Sequence, residues 1–327
     1  MMPSPHGSTK RTPQLSGAVD LSVRLGSLEL KNPVMTASGT FGSGKEYADF
    51  IDLESLGAVV TKGVGLDAWE GNPGIRVFET PSGMLNSIGL QNPGVEAFCA
   101  TDLAWLANNA PHATIIVNVV GHAIDEYARV IERLEREAHV AAYEVNISCP
   151  NVDRGGLAFG VDAEVAAEVT RSCRAATKRP LIMKLSPNVT DITEIACACE
   201  MEGADALSLI NTVLGTAIDV EKRRFRFERQ VAGLSGPAIK PIALRMVHAT
   251  AQATAIPVIG MGGIRNATDA IEFLLAGASV VAVGTGNFVD PCTTIDCIEG
   301  IDAYCQNHGF SVARDLVGAV NRKNDHA

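Results

Sequence analysis

The sequence predicts one α/β domain folded as a closed (β/α)8 TIM barrel, and three observations predict it. The chain has 327 residues, of which 46% are hydrophobic, and this is enough for one large core. Short β-branched runs alternate with helix-like stretches, which is the pattern of successive βαβ units around a parallel sheet. Eight such runs occur, and eight repeats favour a closed barrel over an open sheet.

The predicted strands share a short apolar run that ends on a polar residue or a glycine. Several of the helix-like stretches between them open near an Asp, Ser, Thr or Asn, as capped helices do. The strands are predicted at 34–39, 58–63, 114–121, 142–149, 181–187, 206–212, 256–263 and 280–285, and helices at 123–139, 162–178, 190–203, 240–254 and 267–277.

Three further segments interrupt this repeat. Residues 20–33 alternate apolar and polar side chains around Gly26-Ser27, which predicts an N-terminal β-hairpin at the bottom of the barrel. The connections 64–113, after strand 2, and 213–239, after strand 6, are too long for simple loops. Insertions of this length usually carry function.

The two ends of the chain are predicted to be flexible. Residues 1–17 are expected to be a disordered tail and 320–327 a flexible one, so the catalytic barrel domain is predicted to span 18–319. The first segment has no apolar run that could serve as a signal-peptide core, and no segment has the roughly 18 uninterrupted apolar residues of a membrane span. We therefore expect a cytoplasmic protein.

Charge and cysteine content exclude several classes of function. The net charge is −10 and the 27 Lys and Arg are spread along the chain, so neither a nucleic acid nor an anionic membrane is an expected partner. The eight cysteines form no CxxC pair. Cys197 and Cys199 lie two apart in a predicted helix, where their side chains diverge, so no metal site is expected. Seven cysteines are interpreted as structural, and Cys149 is the exception.

Polar residues stand at the end of nearly every predicted strand. In a barrel these positions meet at the C-terminal face, where active sites are built. A single Asn or Ser at a strand end is as readily explained as a turn former as by a role in an active site. Lys62 and Lys184 fit that interpretation poorly, because a buried ammonium needs an anionic or strongly polar partner. The strand-end residues are Ser38, Lys62, Asn118, Asn146, Cys149, Lys184, Asn211, Gly262, Gly263, Gly284 and Thr285.

Glycines at the last two strand ends predict a phosphate site. The strings GMGG (260–263) and GTG (284–286) place backbone amides where they can approach an anion closely. Either string alone is equally an ordinary tight turn, but together they match the phosphate site that barrels often form after strands 7 and 8. A phosphate-bearing cofactor is therefore implied.

A set of short strings resembles the dihydroorotate dehydrogenases. They occur in order over about residues 20–314: TKG (61–63), NSIGLQN (86–92), NISCPN (146–151), MKLSPN (183–188), INT (210–212), GLSGPAIKP (233–241) and GMGGI (260–264). A cysteine at position 149 is typical of the cytosolic class 1 enzymes, which this sequence resembles. The quinone-reducing class carries Ser at that position, and it also has an apolar N-terminal extension. The strings GGLAFG (155–160) and NTVLGTAID (211–219) resemble the NAD-linked class 1B more than the fumarate-linked class 1A.

This resemblance implies the oxidation of (S)-dihydroorotate to orotate in pyrimidine (UMP) biosynthesis. Cys149 would take the proton and the N5 atom of one bound FMN the hydride, and a thiol of ordinary pKa, about 8.5, is a weak base at neutral pH. Lys184 would lie at the N1 and O2 edge of the flavin, where its charge favours the anionic reduced form. By the same resemblance, the substrate site comprises Lys62, Asn86, Ser87, Ile88, Gly89, Leu90, Asn146, Asn151, Asn211 and Thr212. The FMN site comprises Ser38, Lys62, Gly63, Asn118, Asn146, Lys184, Ile210, Gly236, Gly262, Gly263, Gly284 and Thr285.

The route for the electrons is also implied by resemblance. The sequence contains neither a dinucleotide-binding fingerprint nor cysteines spaced to ligate an iron–sulfur cluster. The NAD-linked class uses a second subunit that carries FAD and a [2Fe–2S] cluster, so such a partner is expected. A homodimer of barrels within a heterotetramer is the expected assembly.

Four alternatives remain open. The first is a fumarate-linked class 1A enzyme. The second is a related FMN barrel that reduces pyrimidines, and the third is one that reduces dihydrouridine positions in tRNA. The tRNA version needs a basic surface and usually an added RNA-binding domain, and this acidic chain of single-domain length has neither. The fourth is a non-catalytic flavin-binding subunit, which a missing Cys149 or Lys184 would have favoured.

Overall fold

A parallel eight-stranded barrel forms the centre of the molecule. The structure, a computed structural model, describes residues 10–148, 150–151 and 157–321, and of residues 150, 151, 157, 158 and 321 it describes the backbone alone. The barrel strands are β1 (Val34–Thr36), β2 (Val59–Val60), β3 (Ile115–Val119), β4 (Val140–Asn146), β5 (Leu181–Lys184), β6 (Ala206–Leu209), β7 (Val258–Met261) and β8 (Val280–Val283).

The strands follow one another around the barrel in chain order. Each of β2 to β7 pairs in parallel with the next strand, and β8 pairs with β1. A parallel bridge between Met35 and Ala58 joins β1 to β2 and closes the ring. The predicted (β/α)8 barrel is confirmed.

An apolar layer fills the lower part of the barrel interior. It includes Val60, Ile116, Ile182 and Ile259. The predicted hairpin, Val23–Leu25 paired with Leu28–Leu30, packs its leucines against this layer. A Cβ placed on Gly26, in its turn, would lie 3.0 Å from the Cβ of Asp205, just before β6. The hairpin therefore closes the N-terminal end, as predicted, and leaves the polar strand ends at the other.

Helices cover the outside of the barrel, and three begin at side-chain caps. Asp162, Asp191 and Asn266 each accept hydrogen bonds from backbone N–H groups in the first turn of the helix that follows. The helices are Ser38–Phe41, Val95–Phe98, Ala104–Asn109, Ile124–Leu134, Ala163–Ala176, Ile192–Met201, Lys240–Ala253, Ala267–Ala276, Gly286–Val289 and Thr293–Asn307. A π-helical stretch spans Cys99–Leu103, and 3-10 turns span Leu53–Ser55, Phe159–Val161, Pro237–Ile239, Ala313–Leu316 and Ala319–Asn321.

The two long insertions build one sheet together. Val77–Thr80 and Gly83–Asn86 come from the insertion after β2, and Val213–Gly215 and Ala232–Ser235 from the one after β6. They form a four-stranded antiparallel sheet in which Gly83–Asn86 pairs with Ala232–Ser235. A separate small pair, Ile218–Asp219 with Arg224–Phe225, completes the second insertion. The sheet binds the two insertions to each other beside the barrel.

Two predictions about boundaries need correction. All eight barrel strands end two or three residues before the predicted limit, because the chain beyond the last ladder bond turns over the barrel mouth. The tail predicted to be disordered up to residue 17 makes specific contacts over its described part. The backbone N–H of Arg11 donates to Phe50 O (2.9 Å), its guanidinium pairs with Asp296 (2.6 Å), and Ser16 hydrogen-bonds Asp302 (2.9 Å). In the part of the chain that the structure describes, no helix is long and apolar enough to cross a membrane.

Candidate active site

Lys184 joins opposite sides of the barrel mouth. It is the last residue of β5 and only 5% exposed. Its Nζ donates to Ser38 Oγ, just beyond β1, at 3.3 Å, and pairs with Glu144 Oε2 on β4 at 3.4 Å. Lys184 is therefore a buried cation with a carboxylate partner. The sequence predicted such a partner, because a lysine in an apolar strand needs one.

Glu144 is a functional candidate that the sequence interpretation missed. Its carboxylate is fully buried and accepts hydrogen bonds from Asn118 Nδ2 at 2.6 Å and Ser208 Oγ at 2.8 Å, besides Lys184. The signal was present, because Glu144 is a charged residue inside the apolar strand Val140–Asn146. It lies two residues before the strand end, whereas the candidate residues predicted from sequence lie at the strand ends.

Lys62 lies just beyond β2 in a different electrostatic environment. Its backbone N–H donates to Gly42 O at 2.8 Å, and the side chain is half-buried. Burial lowers the pKa of its ammonium group. No ion pair to Lys62 occurs among the described residues. A half-buried cation of this kind suits an anionic ligand such as a carboxylate.

Two asparagines at the ends of β4 and β6 contact each other across β5. Asn211, beyond β6, donates from Nδ2 to Asn146 Oδ1 at 3.2 Å. Asn146 also accepts from the Ser148 N–H through Oδ1 and from the Tyr127 hydroxyl through its backbone oxygen. Asn211 Oδ1 accepts from the Thr212 N–H at 2.8 Å. The side chains are thus oriented before any ligand binds.

The loop 86–90 is fixed against the joint sheet. Asn86 donates from Nδ2 to Gly233 O at 3.2 Å, which ties the loop to the second insertion. Asn72 donates to Ser87 Oγ at 3.1 Å and to Ile88 O at 3.0 Å. Gly89 and Leu90 have φ values of 73° and 55°, and for leucine this left-handed conformation is uncommon. The predicted substrate loop therefore has a specific shape, supported by residues outside the predicted set.

Gly263, one of the predicted phosphate glycines, is crowded by backbone. Gly262 and Gly263 have φ values of 126° and 86°. A Cβ on Gly263 would lie 2.9 Å from Gly236 O, so only glycine fits there without a shift. Thr285 Oγ1 donates to Ser235 Oγ at 2.8 Å. The segment Ser235–Gly236 thereby links the ends of β7 and β8, and Ser235 is a second residue that the sequence interpretation did not single out.

The residues at the mouth fit an FMN-like group. The hydroxyl of Thr40 is buried without a hydrogen-bond partner among the described residues, and it lies 4.0 Å from a Cβ placed on Gly284. A Cβ on Gly63 would lie 3.1 Å from Asn118 Oδ1. The crowded glycine Gly263, the orphaned hydroxyl of Thr40 and the buried Lys184 suit a flat, phosphate-bearing cofactor.

Of three further predicted site residues, Cys149 and the side chain of Asn151 lie outside the described part of the chain, and Ile210 lies within it. Asn151 lies in the short strand Pro150–Asn151, which pairs with Leu157–Ala158, but its side chain also lies outside the described part. Ile210 is buried, and its N–H donates to Met261 O at 3.0 Å. The roles of all these residues, and of the placed ones, remain predictions.

Comparison with known proteins gives a consistent result. A family model described as dihydroorotate dehydrogenase matches residues 20–304. A protein of Geotalea uraniireducens named "Dihydroorotate dehydrogenase B (NAD(+)), catalytic subunit" is 53% identical over 305 residues, covering 93% of this chain and 99% of the relative. Proteins of the same name from Geotalea daltonii (54% over 301 residues, 92% and 98% covered) and Bacteroides thetaiotaomicron (53% over 301 residues, 92% and 99% covered) are similarly close.

Proposed function

Because this chain belongs to the dihydroorotate dehydrogenase family, we propose that it oxidises (S)-dihydroorotate to orotate in pyrimidine biosynthesis, as the FMN-binding catalytic subunit of an NAD-linked enzyme. The observation that carries this proposal is the position of Lys184. A buried cation at the end of β5, hydrogen-bonded to Ser38 across the mouth, is suited to the electron-rich edge of a flavin.

FMN would be bound by residues at the ends of all eight barrel strands, together with Gly236 of the insertion after β6. Lys184, Ser38 and Asn118 would contact the ring system with Lys62, Gly63, Asn146 and Ile210, and Gly236, Gly262, Gly263, Gly284 and Thr285 would surround the phosphate. When bound, the flavin supplies the acceptor for two electrons as a hydride. The fixed backbone around Gly263 and Gly236 supports the phosphate assignment, because amides that are already in place need no reorganisation.

The substrate would lie between Lys62 and the asparagines. Dihydroorotate carries a carboxylate and ring amides, and Lys62 offers the positive charge that a carboxylate needs. Asparagines both donate and accept, so Asn146 and Asn211, already oriented by their mutual hydrogen bond, suit the ring amides. Asn86, Asn151, Thr212 and the loop Ser87–Leu90 would complete the pocket.

Cys149 would remove the proton from one ring carbon as the hydride leaves its neighbour. Removal of a proton and a hydride accounts for both electrons and both hydrogens that separate dihydroorotate from orotate. A thiol needs to be deprotonated to act, so the rate should rise with pH until the thiolate predominates. The sequence match of the string that carries Cys149 supports this role.

The electrons would leave through another protein. The names of the relatives describe a catalytic subunit of an NAD(+) enzyme, which supports a partner subunit for this chain too. We propose that the partner carries FAD and a [2Fe–2S] cluster, that the complex is cytoplasmic, and that two barrels and two partners form a heterotetramer.

The colour of the purified chain tests the proposal. The expected result is a yellow protein that releases one FMN per chain and bleaches anaerobically with dihydroorotate. Bleaching by a reduced nicotinamide together with uracil turnover would instead identify a pyrimidine-reducing barrel. Bound FMN that no dihydropyrimidine reduces would identify a non-catalytic flavin subunit, and FAD or no flavin would overturn the assignment.

A further inference from the structure

Glu144 is a buried carboxylate in contact with two residues of the proposed cofactor site, Asn118 and Lys184. It stands two residues before Asn146 on β4, so it is one inward-facing position deeper, about 6–7 Å along the strand. The carboxylate is 0% exposed and receives donors from three other strands. They are Asn118 on β3, Lys184 on β5 and Ser208 on β6, at 2.6, 3.4 and 2.8 Å. A buried carboxylate with three donors is a fixed point for the residues around it.

The contact with Glu144 determines which way the Asn118 amide points. A carboxylate only accepts hydrogen bonds, so the NH2 group of Asn118 must face it and the carbonyl oxygen must face away. That oxygen lies 3.1 Å from the Cβ position of Gly63, beside the proposed cofactor site. Glu144 therefore presents an acceptor, rather than a donor, from Asn118 to the cofactor.

Glu144 also balances the charge of Lys184. An ammonium that is 5% exposed is costly without a countercharge, and Glu144 supplies one. The pair has no net charge, so the positive field of Lys184 at the barrel mouth is weaker than that of an unpaired cation. Removing Glu144 would strengthen that field.

We propose that Glu144 is a positioning residue of the cofactor site. It orients the Asn118 amide and balances Lys184, and through these two residues it sets the FMN affinity and the reduction potential of the flavin. This proposal rests on the proposed FMN-binding function of Asn118 and Lys184.

Exchanging the acid and the amide tests the proposal. Glu144→Gln removes the carboxylate, and Asn118→Asp places a second carboxylate against the first. The double variant restores one acid and one amide, now exchanged, with an acceptor oxygen still available beside Gly63. We expect each single variant to weaken FMN binding by about tenfold or more, and the double variant to bind FMN more tightly than either, since contacting residues are non-additive.

The midpoint potential of the bound flavin is the second readout. Reduced flavin carries more negative charge, so a nearby carboxylate lowers the potential and its removal raises it. We expect the potential to be highest in Glu144→Gln and lowest in Asn118→Asp, with the wild type and the double variant between them. Glu135→Gln is a matched control, because Glu135 accepts hydrogen bonds from Tyr143 and Thr177 at the opposite end of the barrel. The flavin bound to this variant should have the same midpoint potential as in the wild type.

The outcomes separate the two proposals. If the wild type binds FMN but the single effects multiply in the double variant, or if the potentials do not follow this order, Glu144 is a structural residue only. If the wild type binds no FMN, the proposed function fails and this proposal with it. If Glu144→Gln does not fold, Ser208→Ala removes one donor from the same carboxylate and should weaken FMN binding about threefold and shift the potential. A Ser208→Ala variant equal to the wild type in both would overturn the proposal.

Discussion

Asn211 donates its side-chain amide to the side-chain oxygen of Asn146 at 3.2 Å, from the end of β6 to the end of β4. The two strands are not neighbours, because β5 lies between them. The hydrogen bond therefore spans one strand and orients both amides toward the same part of the mouth. Each asparagine helps to orient the other, beside the backbone N–H groups of Ser148 and Thr212.

Replacing Asn211 should reduce catalysis more than stability. Asn211→Ala deletes a proposed substrate contact and one of the donors that orient Asn146, whose Oδ1 keeps the Ser148 N–H as a donor. We expect kcat/KM for dihydroorotate to fall roughly 10- to 100-fold, mostly through KM, with FMN retained. Asn109→Ala is the control, because Asn109 ends a surface helix and its side chain donates to Trp105 O of the same helix. Equal kinetics in the two variants would contradict the assignment.

Gly263→Ala should lose FMN. The added Cβ would meet Gly236 O at 2.9 Å and Lys240 Cβ at 2.8 Å, at a φ of 86°. The backbone must then move away from the position where it could bind a phosphate. Gly309→Ala separates this effect from backbone strain, since Gly309 has a φ of 75° with nothing within 4 Å of the added Cβ. Flavin content after purification should fall in the first variant only, and retention in Gly263→Ala would contradict the phosphate assignment.

Local sequence patterns predict the barrel and much of its mouth. Apolar runs with polar ends predicted all eight strands, since parallel strands buried on both faces tolerate few polar residues before their ends. The same logic predicted that Lys184 needs a polar or anionic partner. It also applies to Glu144, but identifying its partners required knowing that β3, β4, β5 and β6 bring Asn118, Lys184 and Ser208 to one point.

Contacts between distant segments were not predictable from local patterns. The joint sheet pairs Met84 with Ser235, and neither insertion has an alternation that specifies its partner strand or register. The segment around Arg11 looks like a polar tail in sequence. Its structure depends on Asp296 and Glu299 of a helix near the other end of the chain. Propensity carries no information about such pairings.

Lys62→Met should stabilise the FMN-free chain and abolish orotate binding. Burial lowers the pKa of Lys62, so the folded chain binds this proton less tightly than the unfolded chain does. The charged form therefore costs stability at neutral pH, and stability increases as pH rises from the folded pKa to the ordinary value of 10.5. The Met variant lacks both the cost and that increase.

Thermal unfolding of the FMN-free protein between neutral pH and 10.5 measures this difference. We expect a higher Tm for Lys62→Met at neutral pH and a smaller rise of stability with pH than in the wild type. Lys178→Met, at an exposed position, is the matched control for loss of one lysine charge. A lower Tm for the Lys62 variant would contradict the interpretation of Lys62 as an unpaired buried cation. Unchanged orotate binding by calorimetry would contradict its assignment to the substrate site.

Cys149→Ala should bind FMN and reduce it slowly. Loss of a general base typically costs about 10²-fold or more, and we expect anaerobic flavin reduction by dihydroorotate to slow by at least this factor. Cys149→Ser should also be slow but should gain rate as pH rises. Cys99→Ala is the control, because burial raises the pKa of that thiol to about 11 and it is unsuited to act as a base. Near-normal reduction in Cys149→Ala would mean that another residue takes the proton.

The chain by itself should pass electrons from dihydroorotate to artificial acceptors but not to NAD. Its sequence has no dinucleotide fingerprint and no cluster-ligating cysteine spacing, so a nicotinamide has no evident site from which to accept a hydride. Adding a subunit that carries FAD and a [2Fe–2S] cluster should confer NAD reduction and convert a barrel dimer into a heterotetramer, measurable by light scattering. A stable complex would bury roughly 1,200–2,000 Å² or more at each interface between barrel and partner.

NAD reduction at full rate by the isolated chain, or efficient use of fumarate with no response to the partner, would contradict the NAD-linked assignment. Either result would leave dihydroorotate oxidation itself intact, because that chemistry depends on the residues at the barrel mouth and not on the acceptor.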